Sequence, residues 1–175
     1  MMRKKLILLL PVLLTLAMVS MVIAEDQVTS DEVIAKVREA AAYLSEKGEA
    51  GLADFDNPEG PWTWGGTYVF VFNCNEGIIV AHPNNDLIGV ELDSRVDEKG
   101  NHYNLDLCEA SKNPKGGWVE YWRPTDLMDA EGGEMYRRKI SYMLKVPGQP
   151  YEVGAGIYEP TITVEELNEM LEGEE

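Results

Sequence analysis

The period of the apolar positions changes along this chain, and each change marks an element. Leu6 to Ile23 is an almost unbroken apolar run behind Arg3, Lys4 and Lys5, and Ala24 ends it before Glu25-Asp26. A basic head, an apolar stretch and a small residue at the break predict a secretory signal peptide over residues 1–24. The run also reaches the lower length limit of a bilayer span, so an uncleaved anchor is the alternative. Thr29-Ser30-Asp31-Glu32 is a capping box, and Val33, Val37, Ala40, Ala41 and Leu44 then recur at helical spacing up to Gly48. Residues 52–64, with Asn57-Pro58, Gly60-Pro61 and two tryptophans, predict an irregular connection with aromatic anchors.

From Thr67 the period falls to two. Tyr68, Phe70 and Phe72 alternate with Val69 and Val71, which predicts a strand covered on both faces. Asn75-Glu76-Gly77 turns it into a second strand, residues 78–82, stopped by Pro83. A polar loop leads to a short helix over 103–111. Gly116-Gly117 opens a strand over 118–123 that Pro124 closes, and an acidic loop runs through Gly132-Gly133. On the next strand Tyr136, Arg138, Ile140, Tyr142, Leu144 and Val146 share one face, with Arg137, Lys139, Ser141, Met143 and Lys145 on the other. Pro147 to Pro150 turns the chain into a strand over 151–158. Thr163 to Glu166 caps a terminal helix with Val164, Leu167 and Leu171 inward. This order predicts an α+β domain over residues 25–175 with an antiparallel sheet.

Charge narrows the function. Thirty-one acidic against 15 basic residues give a net charge of −16, and removal of the leader takes away three basic residues and no acid. Nucleic acid is therefore an unsuitable partner, because phosphate binding needs clustered Lys and Arg. No motif for nucleophilic, phosphate-transfer or zinc-dependent catalysis occurs, which predicts a non-enzyme with no metal or cofactor. An exported hydrolase requires His82 or His102 to sit against a carboxylate. Residues 93–101 lack the alternating oxygen ligands of a calcium loop. In an oxidising compartment Cys74 and Cys108 either pair, closing a loop worth about 3 to 4 kcal/mol, or remain two buried thiols.

Binding has better support. Tyr68, Trp118, Tyr121, Trp122, Tyr142 and Tyr158 fall on predicted strands, each joining an apolar body to a polar tip suited to a pocket wall. Ordinary core packing accounts for at least half of them. Lys139 and Arg123 are the candidate pocket cations. Gly154 and Gly156 share a face of the last strand, leaving either room for a ligand or close approach of another element.

Seven segments in order resemble type 2 single Cache domains: Trp64 to Phe72, Gly77 to Pro83, Leu87-Ile88-Gly89, Asp97 to Gly100, Gly117 to Trp122, Lys139 to Tyr142 and Val153 to Tyr158. The resemblance implies a PAS-like sensor fold, with a long N-terminal helix on a five- or six-stranded antiparallel sheet, short connecting and C-terminal helices, and a ligand pocket on the sheet's other face. It implies a small organic acid as ligand, of the acetate, propionate, pyruvate or lactate class. By position it assigns His82, Tyr121, Trp122, Lys139 and Tyr142 to the pocket, beside Tyr68 from the strand pattern. Alternation sets Lys139 and Tyr142 on opposite faces, so both line one pocket only if a bulge intervenes. Where relatives carry an acidic residue after the first strand, this chain has Asn73-Cys74. With no second apolar segment, the expectation is a secreted or periplasmic stand-alone domain that presents its bound state to a separate membrane receptor or kinase. A structural module with a vestigial pocket is the rival.

Overall fold

The computed structural model describes residues 28–128 and 134–173. The leader and the Gly132-Gly133 loop lie outside the described residues. Helix α1, Ser30–Lys47, begins with the expected reciprocal cap: Thr29 Oγ1 accepts from the Glu32 amide at 3.2 Å, and Glu32 Oε2 accepts from the Thr29 amide at 2.8 Å. Its buried stripe is Val33, Val37, Ala40, Ala41 and Leu44, and Gly48, at φ 58°, ends it. The connection that follows is more regular than expected, because residues Gly48–Phe55 form a 3-10 helix. This places Phe55 against Trp62 with ring centroids 4.7 Å apart.

A two-residue hairpin, β1 (Thr63–Trp64) with β2 (Thr67–Tyr68), precedes β3 (Phe70–Asn73) and β4 (Ile78–Ala81). The first long strand expected from the alternation is thus split at Val69, whose amide donates to the Trp62 carbonyl at 2.9 Å. Next come α2 (Tyr103–Ala110), β5 (Gly117–Met128), β6 (Glu134–Lys145), β7 (Glu152–Tyr158) and α3 (Val164–Gly173). β5 continues past Pro124 rather than stopping there. It is the sheet's edge strand, where a residue without an N–H is tolerated.

The five main strands lie in the order β4-β3-β7-β6-β5, every neighbour antiparallel. The outer edge of β4 is covered by residues 87–92, where the Ile79 amide donates to Val90 at 3.0 Å and an isolated bridge joins Ile78 to Glu91. That segment serves as a partial sixth strand and blunts the edge.

Alternation divides the core into two layers. Val69, Val71, Ile140, Tyr142, Val153, Ala155 and Ile157 pack with α1 and α3 on one face. Phe70, Phe72, Tyr121 and Met143 face the other way, against Tyr103 and Leu107 of α2 and Leu92 from the preceding loop. Gly154 and Gly156 serve close approach. A Cβ on Gly156 would lie 2.2 Å from Ser141 Oγ and 2.7 Å from the Ile140 carbonyl, and one on Gly154 would lie 2.6 Å from Met143 Sδ.

A disulfide joins Cys74 and Cys108, with an S–S distance of 2.00 Å. It ties the end of β3 to α2 across a sequence separation of 34. No helix among the described residues is long and apolar enough to cross a membrane.

Candidate functional site

The α2 side of the sheet holds a pocket. Tyr68 comes from the β2 hairpin strand, Phe70 from β3, His82 from just past β4, Tyr121 and Arg123 from β5, and Lys139 from β6. The loop before α2 contributes Arg95, and α2 itself contributes Tyr103 and Asn104. The unfilled space at the centre is about 20 Å³, room for one water, within a recess of about 280 Å³ that includes its solvent-filled mouth. Anything larger than a water molecule therefore enters only with outward movement of lining side chains.

Lys139 lies at the centre of this arrangement. Its side chain is 1% exposed, and its Nζ stands 4.4 Å from the ring centre of Tyr68, 4.6 Å from Tyr158 and 5.7 Å from Phe70. No carboxylate among the described residues forms an ion pair with it or with Arg123. Burial pushes the Lys139 ammonium below its ordinary range, and the Arg123 charge adds to this, while the Tyr68 phenol opposes both. Burial by itself would raise Tyr68, yet the Lys139 and Arg123 charges and hydrogen bonds from Tyr158 and Lys139 bring it down to about 8. Tyr121 goes the other way, because its burial dominates, and its hydroxyl is paired with Ser141 Oγ at 2.8 Å. Arg95 Nε donates to the Tyr103 hydroxyl at 3.0 Å, which orients both on the loop side of the pocket.

His82 is neutral here. Its Nδ1 accepts from the Asn84 amide at 2.8 Å, which assigns the ring proton to Nε2 and makes that atom a donor. Burial, then the charges of Lys139, Arg123 and Arg95, lower its pKa to about 3. The unfolded chain, with a histidine near 6.5, takes up a proton that the folded chain refuses, so this residue's contribution to stability falls as the pH drops through 6.5. Between pH 7 and pH 5 the protein should lose about 2 kcal/mol more than a His82→Asn variant, whose amide oxygen can replace Nδ1 as acceptor. Urea unfolding at the two pH values measures this, and equal losses would show that His82 titrates normally.

Of the residues expected in the pocket, Tyr68, His82, Tyr121 and Lys139 converge on it, and Trp122 and Tyr142 do not. The β5–β6 register runs without a shift from Gly117↔Met143 through Pro124↔Tyr136, so no bulge rotates Tyr142 to the Lys139 face. Tyr142 instead packs in the helix-side core against Trp118 and donates to the Lys115 carbonyl. The Trp122 ring lies 3.2 Å from Lys99 Nζ, outside the pocket wall. Strand pattern missed Arg95, Tyr103 and Asn104, which reach the pocket from a loop and a helix with no periodic signal. Both histidine rings use Nδ1 on the backbone, His82 with Asn84 and His102 with the Asp93 carbonyl. Among the described residues no group of three or more His, Cys, Asp or Glu side chains is placed to hold a metal.

A long helix on one face of an antiparallel sheet, with a cationic, phenol-lined pocket on the other, defines a PAS-like sensory architecture. A family model described as Cache domain matches residues 65–163, and the chain belongs to that family. The matching model is of the double, type 2 subclass, so the expected single subclass is not the one matched. The fold is shared with three solved structures. A "periplasmic sensor domain of chemotaxis protein" is 21% identical, with TM-score 0.50 over 73% of this chain and 88% of that one. A methyl-accepting chemotaxis protein from Vibrio parahaemolyticus RIMD 2210633 is 18% identical, with TM-score 0.53 over 73% and 86%. A Cache chemosensory domain, described for its carboxylic acid recognition, is 17% identical, with TM-score 0.52 over 73% and 86%. No curated protein sequence matches significantly.

Proposed function

We propose that this chain is an extracytoplasmic sensor domain of the single Cache type, exported through its residue 1–24 leader, whose pocket binds a small carboxylate for a membrane receptor or kinase. The observation that carries the reading is Lys139: a buried ammonium in a box of aromatic rings, with Arg123 beside it and no acidic partner among the described residues. A buried charge without a partner is costly, and an incoming carboxylate removes that cost. Tyr68, Tyr121 and His82 Nε2 supply directed hydrogen-bond donors around it, as anion recognition in an apolar site requires. Carboxylic acid recognition by a domain of the same fold agrees in chemistry.

The small unfilled volume favours a second reading, a structural module with a vestigial pocket. A thermal-shift and calorimetry panel of two- to four-carbon acids separates the two. Sensing predicts that at least one acid, at a hundredfold excess over its Kd, raises the unfolding midpoint by about 5 to 10 °C. Melting that ignores every acid at millimolar concentration selects the vestigial pocket.

A further inference from the structure

The closed pocket is at once very small and strongly cationic. Lys139 lines it from β6, Arg123 from β5 and Arg95 from the loop before α2, and no carboxylate lines it among the described residues. The three cations act on one interior point, since each lowers the basicity of the His82 ring. Lys139 is the least able to find relief elsewhere. It is buried between the rings of Tyr68 and Tyr158, and its hydrogen-bond partner among the described residues is the Tyr68 hydroxyl, whereas an ammonium has more donors than that to satisfy. One water would fill the central space of about 20 Å³ and leave the charge unbalanced.

We propose that the closed pocket is a halide site, with a chloride ion held at its centre by Lys139 and with Arg123 and Arg95 completing the positive field. Size selects the class of anion. A halide is a single atom only slightly larger than water, so it asks a far smaller shift of the lining side chains than any carboxylate does. Charge selects against water, because a buried ammonium is costly until an anion balances it. The donors fit as well. His82 carries its proton on Nε2, since Nδ1 accepts the Asn84 amide, and the Tyr68 hydroxyl accepts from Lys139 and Tyr158 and keeps its own proton to give. Phe70, Phe72 and Ile79 make the rest of the wall apolar, which favours weakly hydrated chloride or bromide over strongly hydrated fluoride. The site stands on the closed geometry and is independent of whether an organic acid displaces the ion.

Melting of the full chain in chloride-free zwitterionic buffer tests the assignment, with sodium chloride or bromide titrated against sodium fluoride as the balancing salt. The expected result is a saturable rise of the unfolding midpoint, by about 5 °C at a hundredfold excess over Kd. Lys139→Met should remove that response, and Arg95→Gln should weaken the halide affinity severalfold. Crystals soaked in bromide should show an anomalous peak within hydrogen-bond distance of Lys139 Nζ. A chloride response that Lys139→Met shares with wild type, or bromide found on the surface as an adventitious ion only, would overturn the halide site. Organic acids that bind while halides neither stabilise the protein nor occupy the pocket would overturn it as well and leave carboxylate sensing standing. A pocket that takes up bromide in a protein whose melting ignores every acid would uphold the site and remove the sensor reading instead.

Discussion

Lys139→Met is expected to abolish carboxylate binding and at the same time to raise the unfolding midpoint of the ligand-free protein. Truncating the charged partner of a buried anion costs about 3 kcal/mol or more, which is a loss of at least a hundredfold in affinity. The stability effect has the opposite sign. Because the folded state holds the Lys139 ammonium below its ordinary pKa, the charge at neutral pH opposes folding, and its neutral replacement removes that penalty. Met matches the length of Lys and its thioether packs well on the rings of Tyr68, Phe70 and Tyr158, although the cation–π attraction of the ammonium is lost. Calorimetry and a melting curve on one preparation read both effects. Retained affinity would remove Lys139 from the site, and a midpoint several degrees below wild type would mean that its phenol neighbours more than offset its burial.

Loss of the Cys74–Cys108 bond should be the most damaging covalent change. Closing a loop of that length restricts the unfolded chain by about 3 to 4 kcal/mol, a large fraction of the stability of a domain this size. The bond anchors α2, whose Tyr103 and Leu107 form part of the second core layer and whose Tyr103 and Asn104 line the pocket. A Cys74→Ser, Cys108→Ser double variant should unfold in denaturant with stability lower by that amount, and wild type under reductant should match it. Thiol titration of the unfolded, unreduced protein should find none. Two free thiols, or a double variant as stable as wild type, would show that the bridge does not form or does not matter.

Much of the fold was legible in the chain because it depends on local periods. Both the α1 stripe and its capping box are properties of a few neighbouring residues, and the structure repeats them. The two-residue alternation of β6 separated Lys139 from Tyr142, and the unbroken register keeps them on opposite faces. The positional assignment of Tyr142 and Trp122 to the pocket ran against that alternation or beyond the pocket's reach, and the alternation is the better guide. Pro124 misled as a terminator because whether a strand is central or at an edge is not written in its own residues.

By itself, then, the sequence determined the helix ends, most of the strands and which side chains share a face. Only the tertiary structure decided that β7 lies between β3 and β6, which brings Tyr68, Tyr158 and Lys139 together. It alone placed Arg95, Tyr103 and Asn104 over the site and joined Cys74 to α2. The reason is range: a hydrophobic period constrains residues two to four apart, whereas strand order and the path of a covering loop follow from burying two sheet faces at once, a condition on the whole chain.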